Sequence, residues 1–403
     1  MRYDVVVIGA GPAGSTAAKF LSEKGMRVLL LDKSTFPRDK PCGGGLPARV
    51  LKRYRYIEEN GLVDSFSYEV SLHSFASKYN VDIQKNEPIV AMILRKKFDA
   101  GLVNLATRSG ATLLAGKTVK NVKMSEEKSR LVLTDGTEIE SNYVIVADGM
   151  WGSIGKQLGT RQSCRNIGVC VFEEHPLSKR TLDQFFSEKR RVHIHMNALG
   201  VAGYGWVFPK HKHVNIGICE FRQAIGSRNE KKNIKEIYEN YLKTLKETKI
   251  IPSNLKIKNP KGGVFPTYPV QRTALQRAFI CGDAAGMVNP LTGEGIYNAM
   301  VSGEIAAKVI TEALDSNPKN KMVISSYPVR WRNDFGKNNK RFFRLSQHWG
   351  MGEDNIMRLF EKDKQLVDIA MRHILTLDSM KTIWRKLSLR FISVYLKDRF
   401  GLL

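Results

Sequence analysis

The stretch that decides the fold is GAGPAG at residues 9–14, which follows YDVVVI at residues 3–8, where Val5 to Ile8 are all β-branched. Such a β-branched run without polar alternation is typical of a parallel strand buried on both faces. In the turn that follows, Gly9 permits the tight bend, Gly11 lets backbone approach a pyrophosphate, and Gly14 allows helix and strand to pack closely. The N-terminus of the next helix offers free N–H groups to phosphate oxygens. The stretch therefore predicts a dinucleotide-binding unit.

A second strand completes this unit at RVLLLD, residues 27–32. Asp32 lies 18 residues after Gly14, where a carboxylate can accept hydrogen bonds from a ribose diol. Ala13 within the turn and Lys33 after the strand are further candidates for cofactor contact. This motif does not distinguish NAD from FAD.

The distal stretch RAFICGDAAG, residues 277–286, predicts a short strand that ends in a Gly-Asp turn. A glycine-flanked loop then leads to a helix predicted from about 297 to 314. This stretch closely resembles the distal FAD motif of flavoproteins of the p-hydroxybenzoate hydroxylase type. The resemblance implies FAD as cofactor, with Asp283 bound to a ribityl hydroxyl. It implies cofactor contact by further residues of the loop: Gly282, Gly293, Gly295 and Ile296.

Two further landmarks match the same group of flavoproteins. Arg95 opens a helical pattern that continues through Leu105, and the resemblance implies that this arginine binds the cofactor phosphates. The strand at 143–147 ends in Asp148-Gly149, which resembles the internal Asp-Gly motif beside the cofactor. Asp148 is therefore a candidate cofactor ligand, or a residue that only shapes the turn.

The resemblance implies an α/β fold with a Rossmann-like FAD-binding domain, an inserted sheet-based substrate domain and a helical C-terminal region. The predicted segments are 1–55, 95–155 and 265–315 for the FAD-binding domain, 56–94 and 156–264 for the substrate domain, and 316–403 for the helical region.

The loop KPCGGGLP, residues 40–47, carries one thiol among three glycines. Glycines let backbone lie close to a flat ring or a bound substrate. The loop resembles the cysteine-containing loop of geranylgeranyl reductases, which implies that Cys42, Gly43 and Gly44 lie beside the flavin. VAGYGWVFP at 201–209 resembles the PxxYxWxFP motif of that family, except that Val201 replaces the first proline.

The combined resemblance covers about residues 1–310. It implies catalytic roles for Cys42, Tyr204 and Trp206 and substrate contact by Gly44, Phe208 and Pro209.

The implied activity is the saturation of isolated double bonds in prenyl chains, as in archaeal-type ether lipids. Such an alkene accepts hydride poorly, so protonation must accompany hydride transfer, and Cys42 is a candidate to position the substrate or donate the proton. The alternatives are an aromatic monooxygenase, a flavin-dependent halogenase, or a membrane-associated electron-transfer flavoprotein. Tyr204 stands where halogenases carry the first tryptophan of a pair.

The electron donor is left open between NAD(P)H and a reduced ferredoxin-like protein, because the sequence has no second GxGxxG motif. The formal charge of +25 favours anionic partners, and no nucleic-acid-binding motif accompanies it. Five cysteines without a CxxC pair suggest reduced thiols in the cytoplasm. We expect no signal peptide and no membrane-spanning segment, since the first strand starts at Tyr3 and no run of 18 apolar residues occurs.

The tail at 381–403 predicts a basic amphipathic helix. Such a helix binds an anionic membrane or docks on its own protein, and a lipid substrate favours peripheral association with the inner face of the cell membrane. Its predicted apolar face consists of Ile383, Trp384, Leu387, Phe391, Val394 and Tyr395.

Overall fold

A computed structural model describes residues 2–74, 79–160, 166–222, 233–316, 321–349, 353–374, 380–400 and 402. The chain divides into two compact units, each built from three segments. The first unit comprises Met1–Lys40, Arg95–Gly168 and Phe265–Leu345. The second comprises Pro41–Leu94, Val169–Val264 and Ser346–Leu403.

The strands are β1 Arg2–Ile8, β2 Val28–Asp32, β3 Gly45–Pro47, β4 Ser65–Ser67, β5 Glu69–Ser74, β6 Asn80–Gln84, β7 Val90–Met92, β8 Thr112–Ala115, β9 Val119–Met124, β10 Ser129–Leu133, β11 Glu138–Val146, β12 Ile167–Pro176, β13 Val192–Met196, β14 Gly203–Pro209, β15 His213–Phe221, β16 Lys261–Pro266, β17 Ala274–Leu275 and β18 Ala278–Ile280. The α-helices are α1 Pro12–Ser22, α2 Arg49–Arg53, α3 Tyr56–Glu59, α4 Arg95–Arg108, α5 Ser153–Gln157, α6 Lys179–Phe186, α7 Ile234–Glu247, α8 Ile296–Ser316, α9 Lys321–Trp331, α10 Lys337–Ser346, α11 Glu353–Lys362, α12 Lys364–Ile374 and α13 Met380–Arg399. Short 3-10 turns occupy Ala198–Gly200 and Gly282–Ala285, and a π-helical turn occupies Arg332–Gly336.

The first unit is built on a sheet with the strand order β17-β18-β11-β1-β2-β8, extended by β9 and β10 beside β11. Strands β18, β11, β1, β2 and β8 run parallel. The registers Ile8↔Val146, Ile8↔Leu31 and Val146↔Ile280 align the carboxyl ends of four of them. Ligands of open α/β sheets bind at that edge, and the glycine turn, Asp148 and the Gly-Asp turn all lie there.

Helices α1 and α8 pack side by side in the first unit because small residues line their contact. A side chain at Gly303 would place its Cβ 2.2 Å from the carbonyl oxygen of Ala13. A Cβ at Gly282 would lie 3.2 Å from the Cβ of Ala13. This packing brings the N-terminal glycine turn and the distal Gly-Asp turn together although they are far apart in sequence.

The second unit contains a seven-stranded sheet with the order β16-β12-β15-β14-β13-β5-β6 and a small sheet with the order β3-β7-β4. One face of the large sheet packs on α6 and α7 through a core that includes Phe186, Val207, Ile218, Tyr241 and Leu245. On β14 the side chains alternate, so the opposite face carries the three aromatic residues of the GYGWVFP stretch. Met357 and Met371 of α11 and α12 cover part of that face, in one cluster with Val70 and Leu72.

The unit boundaries differ from the predicted domain boundaries at three places. The glycine loop belongs to the second unit because β3 pairs with β7. Residues 156–168 belong to the first unit. The C-terminal region divides, since 316–345 joins the first unit and 346–403 joins the second. Within the described parts of the chain, we find no helix with the length and hydropathy needed to cross a bilayer.

Candidate active site

The glycine turn after β1 has the close contacts that its sequence predicts. Gly9 has φ +99°, and a Cβ there would lie 2.2 Å from the carbonyl oxygen of Ala147. A Cβ at Gly14 would lie 1.8 Å from the carbonyl oxygen of Gly9. Any side chain at these positions would push the turn away from the sheet, so only glycine leaves the N-terminus of α1 open to a phosphate.

Asp32 at the end of β2 fixes the turn from the opposite side. One carboxylate oxygen accepts from Ala10 N at 2.7 Å, and the other accepts from Ser34 N at 2.8 Å. Each oxygen keeps a second lone pair, which is available to a ribose hydroxyl. Ala13 is buried in the first turn of α1, whereas Lys33 is exposed.

Arg95 is buried at the start of α4, where it donates to both carboxylate oxygens of Asp99 at 2.8 Å. Arg38 pairs with the same carboxylate at 3.0 Å. Its Nη2 lies 3.6 Å from the place that a Cβ of Gly11 would occupy. Two guanidinium groups share one carboxylate, which leaves a net positive charge beside the glycine turn and suits a pyrophosphate.

Asp148 follows β11 and shapes the start of α5. Its Oδ2 accepts from Ile154 N at 3.1 Å, and a Cβ at Gly152 would lie 2.0 Å from its carboxyl carbon. Its Oδ1 is buried and has no hydrogen-bond partner among the described residues. Burial raises the pKa of this carboxyl, partly offset by the hydrogen bond from Ile154 N. The unpartnered oxygen is an acceptor left for a bound group.

Asp283 follows β18 within the turn Gly282–Ala285, and its Oδ2 pairs with Lys40 Nζ at 3.3 Å. Its Oδ1 lies 3.6 Å from the place that a Cβ of Gly295 would occupy. Gly293 has φ +70° and allows the loop to turn into α8, which begins at Ile296. The small residues before α8 therefore keep backbone and carboxylate accessible at this edge.

These residues of the first unit fit FAD. The close-packed glycine turn and the arginine pair suit its pyrophosphate, and Asp32 suits its ribose. Oδ1 of Asp148, which no described residue hydrogen-bonds, is an acceptor at the same edge of the sheet. Bound there and reduced, the flavin would supply hydride.

The second unit carries the predicted aromatic residues on one face of β14. Ring centroids of Tyr204 and Trp206, and those of Trp206 and Phe208, are each 6.0 Å apart. Trp206 Nε1 donates to Asn215 Oδ1 at 2.7 Å, which orients the indole. Burial raises the pKa of Tyr204 well above its usual range. The phenol therefore stays protonated at neutral pH, and the face is an apolar wall with one hydroxyl.

The Cys42 loop lies directly against this wall. A Cβ at Gly43 would lie 3.1 Å from Trp206 Nε1, and one at Gly45 would lie 2.9 Å from the ring of Phe208. Glycines at 43 and 45 are thus explained by this chain's own aromatic rings. Cys42 is half-buried, and Gly44 N donates to its Sγ at 3.3 Å.

Gly44 is the most constrained position of the loop. It has φ +78°, its carbonyl accepts from Ile93 N at 2.8 Å, and a Cβ there would lie 2.3 Å from Ile93 O. The same Cβ would lie 3.0 Å from Nζ of Lys210, a buried lysine at the end of β14 that donates to Glu174. Pro209, which is the last residue of β14 and directly precedes Lys210, is also buried.

Sequence reasoning missed three of these groups. Arg38 stands in the loop after β2 in the segment FPRDK, and its only local signal is its short distance from Asp32. Lys210 directly follows the GYGWVFP stretch, but its partner Glu174 lies 36 residues away. Trp349, from the C-terminal region, stacks on Phe221 at 5.9 Å and is 6.3 Å from the ring of Tyr204. Each contact joins distant parts of the sequence.

Comparison with known proteins agrees with the geometry. Residues 2–323 match the family model described as FAD binding domain. An uncharacterized protein of Methanosarcina barkeri is 34% identical over 78% of this chain and 76% of its own. A digeranylgeranylglycerophospholipid reductase 1 of Methanococcoides burtonii is 30% identical over 86% of this chain and 85% of its own.

Among solved structures, a geranylgeranyl bacteriochlorophyll reductase-like protein of Thermoplasma acidophilum superposes with a TM-score of 0.80 at 23% identity. The match covers 100% of this chain and 99% of that protein. At this identity the likeness shows the fold, which is the p-hydroxybenzoate hydroxylase type predicted from the motifs. The chain therefore belongs to the FAD binding domain family and, within it, to the geranylgeranyl reductase family of FAD-dependent oxidoreductases.

Proposed function

We propose that this protein saturates isolated double bonds of geranylgeranyl chains in archaeal-type ether lipids. The observation that carries the proposal is the packing of the Cys42 loop on the aromatic face of β14, which joins a thiol to an apolar wall. The name of the relative from Methanococcoides burtonii, a digeranylgeranylglycerophospholipid reductase, supports the same substrate class.

The chemistry of an isolated alkene sets what the protein must provide. Conversion of C=C into CH–CH requires one hydride and one proton; FAD held by the residues of the first unit would supply the hydride once reduced, and a proton donor must supply the second hydrogen. Because the alkene is a poor hydride acceptor, positive character develops at the branched carbon as the proton arrives. The protein must therefore hold the chain in a dry site and stabilise that charge.

The aromatic wall supplies these two conditions. The faces of Tyr204, Trp206 and Phe208 attract partial positive charge and exclude water. The Trp206 indole N–H is occupied by Asn215, so the ring presents its face and not a competing donor.

Cys42 is the reactive side chain of the loop. Its Sγ accepts from Gly44 N, which fixes the thiol in one direction. The resemblance of this loop to the cysteine-containing loop of geranylgeranyl reductases supports a role for the thiol in the reaction. We propose that the thiol positions the alkene or donates the proton.

We further propose that NAD(P)H or a reduced ferredoxin-like protein delivers the electrons. The substrate is then a membrane lipid, and the enzyme works at the inner face of the cell membrane as a peripheral protein.

The test is anaerobic. The protein loaded with FAD is reduced with dithionite, and a geranylgeranyl lipid is then added. We expect flavin reoxidation without oxygen and a product heavier by two hydrogens for each bond reduced. Reoxidation only after air is admitted, with oxygen inserted into an aromatic test compound, would refute the proposal in favour of a monooxygenase.

Two variants test the thiol separately. Cys42→Ala and Cys42→Ser should retain bound FAD, because the flavin-binding residues of the first unit are untouched, and should lose at least about tenfold in turnover. Turnover at the wild-type level in both variants would remove Cys42 from the reaction and leave the assignment of the substrate intact.

A further inference from the structure

Among the residues that the structure describes, helix α13 packs on its own protein through one side. Val394 is buried against Leu359 and Leu366 of the preceding helices, and Leu387 and Phe391 pack around them. This side corresponds to most of the apolar face expected from the sequence. The sequence left open whether this face docks on the protein or on a membrane. In the structure it packs on the protein.

Ion pairs reinforce the same attachment. Arg390 pairs with Asp363 at 2.5 Å, and Asp398 pairs with Lys362 at 2.7 Å and with Arg358. Asp398, the one acidic residue in the sequence of α13, is thus turned toward the protein. The outward side of the helix carries no acidic residue.

A second apolar stripe lies on the outward side. Leu389, Ile392 and Leu396 are 59%, 55% and 46% exposed. Their spacing of i, i+3 and i+7 places them on one face of a helix, roughly opposite Val394. Phe400 and Leu402 extend the stripe past the end of the helix, at 72% and 71% exposure. So much exposed apolar surface on one element indicates an interaction site.

Exposed cations flank this stripe. Arg385 and Lys386 lie before it, and Lys397 and Arg399 lie beside its end. An apolar stripe bordered by cations without acids matches a surface that is apolar beneath an anionic layer. A second copy of the chain fits less well, because the same cations would face each other across the contact.

We propose that the outward face of α13, formed by Leu389, Ile392 and Leu396 with their flanking cations, docks on an anionic lipid bilayer. The helix lies in the plane of the interface, with its apolar side chains among the acyl chains and its cations at the phosphates. This docking surface rests on the proposed function, because that function makes the substrate a membrane lipid. The outward face of α13 is then the surface that contacts the membrane.

The test is flotation of the full-length, FAD-loaded protein with vesicles. One set contains equal parts phosphatidylglycerol and phosphatidylcholine, and the other contains phosphatidylcholine alone. We expect binding to the anionic set, and a loss of about tenfold in the variant Leu389→Gln, Ile392→Gln, Leu396→Gln. The matched control is Met322→Gln, Val329→Gln, which makes the same change at exposed apolar residues of α9 and should bind like wild type.

Three results would overturn the docking surface. The first is undiminished binding of the α13 variant to anionic vesicles. The second is equal binding of wild type to both vesicle sets. The third is a wild-type dimer in light scattering that becomes a monomer in the α13 variant, which would assign the stripe to a second copy. Vesicle binding does not require turnover, so failure of the reductase assay with intact α13-dependent binding would refute only the proposed activity.

Discussion

The substitution Gly44→Ala examines whether the backbone of the Cys42 loop must hold its position. Gly44 has φ +78°, and the added Cβ would lie 2.3 Å from Ile93 O. An ordinary contact begins near 3.4 Å, so the loop or Ile93 must move by about 1 Å. A displacement of about 1 Å in an active site can lower the rate about 100-fold.

A matched control separates this clash from the cost of backbone conformation. Gly61 has φ +63°, and a Cβ there would meet nothing within 4 Å. Alanine in the left-handed region costs about 1–2 kcal/mol at either position. Gly44→Ala adds about 1–3 kcal/mol of overpacking.

The measurements are the free energy of unfolding, the FAD content and the rate of alkene reduction. We expect both variants to retain FAD and Gly61→Ala to keep its rate within about twofold. We expect Gly44→Ala to be the less stable variant and to lose about 10- to 100-fold in turnover. Equal turnover in the two variants would refute the reasoning, because the loop would then tolerate the displacement.

Two further substitutions test the buried titratable residues Lys210 and His193 of the second unit. Lys210→Met leaves the Glu174 carboxylate without its cation and should cost about 1–3 kcal/mol of unfolding free energy, whereas adding Glu174→Gln should recover part of it; strictly additive effects in chemical denaturation would exclude a coupled pair. Burial lowers the pKa of His193 to about 3. On acidification below about pH 6.5, this histidine therefore takes up a proton in the unfolded chain but stays neutral in the folded chain. Stability is therefore lost as pH falls, by about 2 kcal/mol between pH 6.5 and 5 for this residue. The variant His193→Gln should lose less stability than wild type over this range, and identical pH profiles would contradict the assignment.

The sequence by itself determined the nucleotide-binding architecture. The turn at 9–14, the Asp148-Gly149 turn and the Gly-Asp turn at 282–283 each lie at the end of a parallel strand, where local backbone geometry demands particular residues. Gly9 illustrates this, since its φ of +99° and its contact with Ala147 leave room only for glycine. Such requirements are written in a few consecutive residues, so they can be recognised without the fold.

The tertiary structure alone decided which side chains meet across long intervals of sequence. Arg38 reaches Asp99, and Lys210 reaches Glu174, because strands and helices bring distant segments together. The same holds for α13, whose hydrophobic pattern did not determine whether its predicted apolar face packs on the protein or on a membrane. That choice follows from where Leu359 and Leu366 lie, and burial against them leaves Leu389, Ile392 and Leu396 facing outward.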